Sequence, residues 1–155
     1  MKVGQSAPKF TAQNSTGDNI SLQDFHDQWL VLYFYPKDHT PGCTAEAIEF
    51  TEKLAEFQAL NAQIVGISPD SIAVHRKFID KHNLGITLLS DPEHQIAEQY
   101  NVWQLKKFMG KEYMGIIRST FSIDPTGNVA QIWSNVRVKN HVDNVLTQLK
   151  KIQQV

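Results

Sequence analysis

The chain has 155 residues, the length of one domain, and its 15 Lys plus Arg against 16 Asp plus Glu leave a formal net charge of −1. That balance supplies no electrostatic pull toward nucleic acid or an anionic membrane. Hydrophobic residues make up 41% and charged residues 20%, which excludes a disordered or fibrous chain.

No stretch approaches the ~20 apolar residues of a membrane span, and Met1 to Phe10 lacks the basic-then-apolar pattern of a signal peptide. Residues 1–155 carry no repeat and no linker and read as one domain. A strand pair is expected near Phe10 and Ile20, around the Gly17-Asp18 turn. Trp29 to Tyr35 is a nearly continuous apolar run ended by Pro36, the pattern of a strand buried on both faces. From Cys43 to Leu60 the spacing of Ala47, Ile48, Phe50, Leu54, Phe57 and Leu60 predicts a helix, with Glu46, Glu49, Glu52, Lys53 and Glu56 on its wet side. Ala62 to Ile67 reads as a second strand. Asp70 or Ser71 caps a helix running to about His82, and Ile86 to Leu89 is a short strand. A brief helix follows from Asp91-Pro92 to Tyr100. Ile116 to Asp124 and Val129 to Ser134 flank the turn residues Pro125 to Asn128 and predict a hairpin. Asn140 to Ile152 closes the chain as an amphipathic helix, with Lys150 and Lys151 at the negative end of its dipole. This order predicts an α/β, thioredoxin-like fold: a central mixed β-sheet flanked by helices, with an N-terminal β extension.

The chemistry-bearing feature is Cys43, the one cysteine in the sequence. Its solitude excludes an intramolecular disulfide, a CxxC redox pair and a multi-thiolate zinc site, and it points to a reducing, cytoplasmic setting. The segment Pro36-Lys-Asp-His-Thr40-Pro-Gly-Cys43-Thr-Ala-Glu46 puts this sulfur in the first turn of a helix, where unpaired N–H groups and the positive dipole end favour a thiolate. Pro41 has no N–H, so the nearest backbone donors are those of Gly42 and Cys43. Gly42 leaves room for a small ligand, and Thr40 can turn a hydroxyl toward the same point. On residue type alone, Arg118 could equally pair with a surface carboxylate from within its strand, and Thr40 could simply cap the helix. Glu46 either braces Arg118 by an ion pair or merely favours the helix N-terminus. His39 is set aside as a loop histidine. His26, His75, His82, His94 and His141 show no metal-ligand spacing, and no metal or other cofactor is expected. Lys106, Lys107 and Lys111 read as a solvated face. Trp103, Phe108, Tyr113 and Met114 around them could line a pocket rim or a dimer contact, and core packing is the reading preferred.

The pattern Pro36-xxx-Thr40-xx-Cys43 resembles the peroxiredoxin active-site motif, and the string YPKDHTPGCTAE is similar to the bacterioferritin comigratory protein, or peroxiredoxin Q, branch. The resemblance extends over nearly the whole chain, through Gly4 to Phe10, Gly66-Ile-Ser68 and Arg118 to Asp124. It implies a thiol-dependent peroxidase in antioxidant defence, with Cys43 as peroxidatic cysteine and Thr40, Pro36 and Arg118 completing the pocket. Gly42, Cys43, Thr40 and Arg118 would bind the peroxide, with Glu46 in support. Many members of this branch carry a resolving cysteine five residues after the first, where this chain has Ile48. The implied cycle is therefore a one-cysteine cycle on hydrogen peroxide and small alkyl hydroperoxides. An external thiol, from thioredoxin or from glutaredoxin with glutathione, would resolve the sulfenic acid. The competing reading is a non-enzymatic peroxide sensor or binding module that uses Cys43 without turnover. The branch implies a monomer, with a weak dimer as the alternative, and no nucleic-acid or membrane partner.

Overall fold

The computed structural model describes residues 1–154. Its centre is β3 (Trp29–Phe34), the run whose apolar continuity the sequence displays. It pairs in parallel with β4 (Ala62–Ser68), matching Trp29 to Ala62 and Phe34 to Ile67. On its other side it pairs antiparallel with β8 (Ser119–Ile123), matching Phe34 to Ser119. With β1 (Thr11–Asn14), β2 (Asn19–Ser21), β5 (Thr87–Ser90) and β9 (Val129–Trp133) these strands form a mixed sheet in the order β2-β1-β5-β4-β3-β8-β9. The β1–β2 pair at Gly17 is the expected N-terminal extension.

Side chains alternate across β3 because successive Cβ atoms of a strand point to opposite faces. Val31, Tyr33 and Tyr35 enter one core with Ala47, Phe50, Phe57, Phe78, Val145 and Leu149. Leu30, Leu32 and Phe34 enter the other with Phe10, Val65, Ile67, Tyr100 and Phe121. The first core is roofed by α1 (Pro41–Glu52), α2 (Leu54–Ala59), α3 (Ile72–His82) and α5 (His141–Gln153). The second includes Ile96 and Ala97 of α4 (Gln95–Gln99). Gly66 is required where β4 crosses under Tyr33, since a Cβ there would lie 2.7 Å from the tyrosine ring and 2.9 Å from Leu88. Among the described residues no helix is long and apolar enough to cross a membrane.

Several expectations are corrected. The helix predicted from Cys43 to Leu60 begins at Pro41, which suits the first helical position because its missing N–H has no acceptor there. It also divides at Lys53. Just before the break the Thr51 hydroxyl donates to the Ala47 carbonyl at 2.9 Å, a back-bond that bends helices. The strand predicted from Ile116 to Asp124 is interrupted at Ile117-Arg118, so Arg118 lies just ahead of β8 rather than inside a strand. There the Ile117 N–H donates to the Val102 carbonyl, and the Arg118 carbonyl accepts from Val136.

The residues before the interruption belong to a separate antiparallel pair, β6 (Trp103–Phe108) and β7 (Lys111–Ile116). The expectation that Trp103, Phe108, Tyr113 and Met114 form core fails here. Phe108 is 65% exposed, Tyr113 and Met114 are each 47% exposed, and Trp103 is only partly buried, stacked on His94. A two-stranded ribbon standing off the main sheet has little opposing surface to bury them.

Candidate active site

The chain leaves β3 at Phe34 and runs through Pro36 to Thr40 into α1. Thr40 is the residue flanking the helix start, with extended backbone, but its hydroxyl does not cap. It donates instead to the Lys37 carbonyl at 2.8 Å, leaving the oxygen's lone pairs as acceptors for a ligand O–H. The first backbone bond of α1 runs from the Thr44 N–H to the Thr40 carbonyl. The N–H groups of Gly42 and Cys43 precede that bond and are the orphan donors of a helix start. Cys43 is 1% exposed, with its side chain in the first core beside Ala47 and Phe50.

Arg118 arrives at this helix start from the opposite strand of the sheet, placed by the Phe34–Ser119 pairing immediately after it. Its Nη2 donates to Cys43 Sγ at 3.3 Å, and its Nη1 donates to Glu46 Oε1 at 2.7 Å. One guanidinium therefore spans the sulfur and a carboxyl one helical turn away. The absent side chain of Gly42 has a definite use, because a Cβ there would sit 3.4 Å from Arg118 Nη2. Glu46, expected on the wet side, is fully buried, and the ion pair with Arg118 is what allows a carboxylate there. Cys43, Gly42, Arg118 and Glu46 are thus one contact cluster, with Thr40 and Pro36 on the loop entering it.

Burial pushes the Glu46 carboxyl up to about 7, against the pull of Arg118. Its Oε2 and the Tyr33 hydroxyl are buried without a hydrogen-bond partner among the described residues. Burial draws the Arg118 guanidinium down, and Glu46 and Cys43 together more than reverse this, so it stays charged. Nearby, His141 is drawn down to about 4 by burial and by the Arg118 charge, and its Nε2 shares a hydrogen bond with the Thr120 hydroxyl.

A carboxyl whose folded value lies above its unfolded one binds its proton more tightly in the folded state. Its contribution to stability is complete below about 4.5 and is lost as pH rises through about 7, up to about 3 kcal/mol for a shift of this size. Glu46→Gln should therefore gain stability relative to the parent between pH 5 and pH 8, read by urea unfolding of both proteins. Parallel stability profiles would contradict it.

A second polar cluster, with Asp38 and His75 buried and Asp70 partly so, lies behind the loop, and sequence reasoning missed it. Asp38, Asp70 and His75 bring one potential metal-ligand atom each within 4.8 Å of one another. These atoms are engaged in hydrogen bonds to Tyr35, Ser68, Leu89 and each other, so the arrangement is a network with no free ligand set. Asp38 and His75 stand 37 positions apart and carry no local pattern that would have paired them. A cavity of about 450 Å³ lined by Phe10, Leu22, Phe25 and Pro125 shares no residue with the Cys43 cluster.

Three comparisons bear on this geometry. The AhpC/TSA family pattern matches residues 3–132. Peroxiredoxin Bcp of Bacillus subtilis is 48% identical over 154 residues, covering 99% of this chain and 98% of its own. Among solved structures, the Xanthomonas campestris bacterioferritin comigratory protein, studied for alkyl peroxide reduction, is 39% identical with a TM-score of 0.88. That match covers 92% of this chain and 90% of its own. A yeast mitochondrial 1-Cys peroxiredoxin, resolved via glutathione and thioredoxin systems, is 26% identical with a TM-score of 0.84, covering 99% of this chain and 77% of that one.

Proposed function

The chain belongs to the AhpC/TSA family and is a peroxiredoxin, a thiol-dependent peroxidase, and from that premise we propose that it runs a one-cysteine cycle on Cys43 with hydrogen peroxide and small alkyl hydroperoxides. The observation that carries the proposal is the lone sulfur at the start of α1 beneath Arg118 Nη2.

The Cys43 thiolate attacks the nearer peroxide oxygen. The S–O bond forms as the O–O bond breaks, and the departing oxygen takes up a proton as water or alcohol. Arg118 holds a fixed positive charge beside the sulfur and donates toward the peroxide. The orphan N–H groups of Gly42 and Cys43 face the same small space, and Thr40 accepts the peroxide O–H. Pro36 limits water access, and Glu46 orients Arg118 through its second nitrogen.

The resulting sulfenic acid has no second cysteine to condense with. Ile48 stands half-buried on α1, packed against the core, at the position of a resolving residue. An external thiol displaces water to form a mixed disulfide, and a second thiol releases Cys43 as a disulfide leaves. Thioredoxin, or glutaredoxin with glutathione, supplies these thiols in a reducing cytoplasm. The yeast 1-Cys relative, resolved via the same two systems, supports this reading.

One equivalent of peroxide should add one oxygen to Cys43, located by peptide mass mapping, with exposed Met109 and Met114 as slower controls. Steady-state peroxide consumption should then follow with at least one of the two thiol systems. Fast oxidation of Cys43 with turnover in neither would overturn the cycle and favour the sensor reading, which the missing resolving cysteine keeps in view.

A further inference from the structure

The loop that carries Thr40 into α1 is fastened from behind by a buried acid–histidine pair that touches neither the sulfur nor Arg118. Asp38 is 2% exposed and His75 is fully buried. Every polar atom of the two side chains is occupied. Asp38 Oδ1 accepts from the Tyr35 hydroxyl at 2.6 Å, and Oδ2 meets His75 Nδ1 at 2.5 Å. His75 Nε2 lies 3.0 Å from the Leu89 carbonyl of β5. A carbonyl only accepts, so Nε2 carries a hydrogen, and a further hydrogen lies between Nδ1 and the carboxyl. The Asp38 backbone N–H donates to Asp70 Oδ2 at 2.8 Å, and that oxygen also accepts from Ser68.

The next link runs toward the site. Lys37, adjacent to Asp38, offers the carbonyl that holds the Thr40 hydroxyl. His39, between them, sits in the left-handed region at φ 64, a conformation that persists in a non-glycine residue only where its surroundings over-determine it. Its ring meets Phe78 edge-on at 5.1 Å, and Phe78 lies one turn after His75 on the same face of α3. Two consecutive loop residues, Asp38 and the strained His39, are thus pinned to α3.

We propose that His75 is a positioning residue for peroxide reduction, acting through Asp38 to hold residues 36–40 in the shape that presents Thr40 and the helix start to the peroxide. The proposal rests on the peroxidase reading, and its test is a ratio of rates measured only once the parent protein is shown to oxidise at Cys43. A parent that does not react overturns the peroxidase reading itself.

Asparagine and glutamine separate the two bonds of the histidine. The amide nitrogen of Asn falls where Nδ1 lies and can donate to Asp38. That of Gln falls where Nε2 lies and can reach only Leu89. Each variant loses one of two buried bonds, so a purely structural role would lower stability and rate alike in both.

His75→Gln should slow single-turnover oxidation of Cys43 by hydrogen peroxide about 10²-fold, the scale of a small misplacement of reacting groups. His75→Asn should stay close to the parent rate, although its thermal stability falls as far as that of His75→Gln. Asp38→Asn, which rebuilds the bond with its own amide donating to Nδ1, should behave as His75→Asn does. Equal rates in His75→Asn and His75→Gln, fast or slow, would overturn the proposal, as would an Asp38→Asn variant as slow as His75→Gln.

Discussion

Cys43→Ser should abolish peroxide consumption while the protein stays folded. The sulfur is the only thiol in the chain, so no neighbour can take over its chemistry. A serine oxygen in the same place is a far weaker nucleophile at neutral pH and gives no redox-active product with peroxide. Loss of a nucleophile removes on the order of 10⁴-fold or more of the rate, so activity should fall to background. The fold should tolerate the change. Serine is close in shape, and Arg118 Nη2, 3.3 Å from the native sulfur, remains available to its hydroxyl. Cys43→Ala offers a control in which no hydroxyl is buried, and it should match Cys43→Ser in activity. Steady-state peroxide consumption, with urea unfolding alongside, decides the matter. Residual turnover in both folded variants would move the chemistry to another group.

The route to Cys43 was legible in the sequence because each step is local. An apolar run ends at Pro36, Thr-Pro-Gly follows, and a helical spacing begins, so the thiol falls at a strand-to-helix junction whatever the rest of the chain does. Strands β3 and β4 were legible because buried strands advertise themselves by unbroken apolar runs, and the closing hairpin because the turn residues Pro125 to Asn128 mark it. Glu46 was not. Its burial depends on Arg118, 72 positions later, and without that partner a glutamate among other glutamates belongs on a wet face. The β6–β7 ribbon leaves no mark in the sequence for two physical reasons. Its side chains lie largely in solvent, so no burial pattern marks it. Its turn, Met109-Gly110, has positive φ at both residues, and methionine is not a residue that announces such a turn. The Asp38–His75 pair is legible only in three dimensions, because hydrogen-bond complementarity between a loop and a distant helix leaves no periodic trace.

Arg118→Met should lower the rate of Cys43 oxidation by peroxide about 10²- to 10³-fold, and the size of that loss separates two things a guanidinium can do. An ordinary thiol of pKa ~8.5 is roughly 3% ionised at pH 7, so complete ionisation is worth at most ~30-fold. A lowered pKa also weakens the nucleophile. A larger loss must come from the other role, donation to the peroxide as charge moves along the S–O–O line. A loss of the expected size exceeds the ceiling of the first role and so requires the second, in a guanidinium whose plane Glu46 fixes through Nη1 while Nη2 meets the sulfur. The deficit of Arg118→Met should therefore persist at high pH, where the thiol is ionised with or without the arginine. Arg118→Lys keeps the charge but has one nitrogen to divide between Glu46 and Cys43, and it should fall between the two. Removing the guanidinium also strands a buried carboxyl, so the double variant Glu46→Gln, Arg118→Met provides a folded background without that strain. Single-turnover rates across pH in these proteins give the answer. A deficit that vanishes at high pH would reduce Arg118 to a device for ionising the thiol.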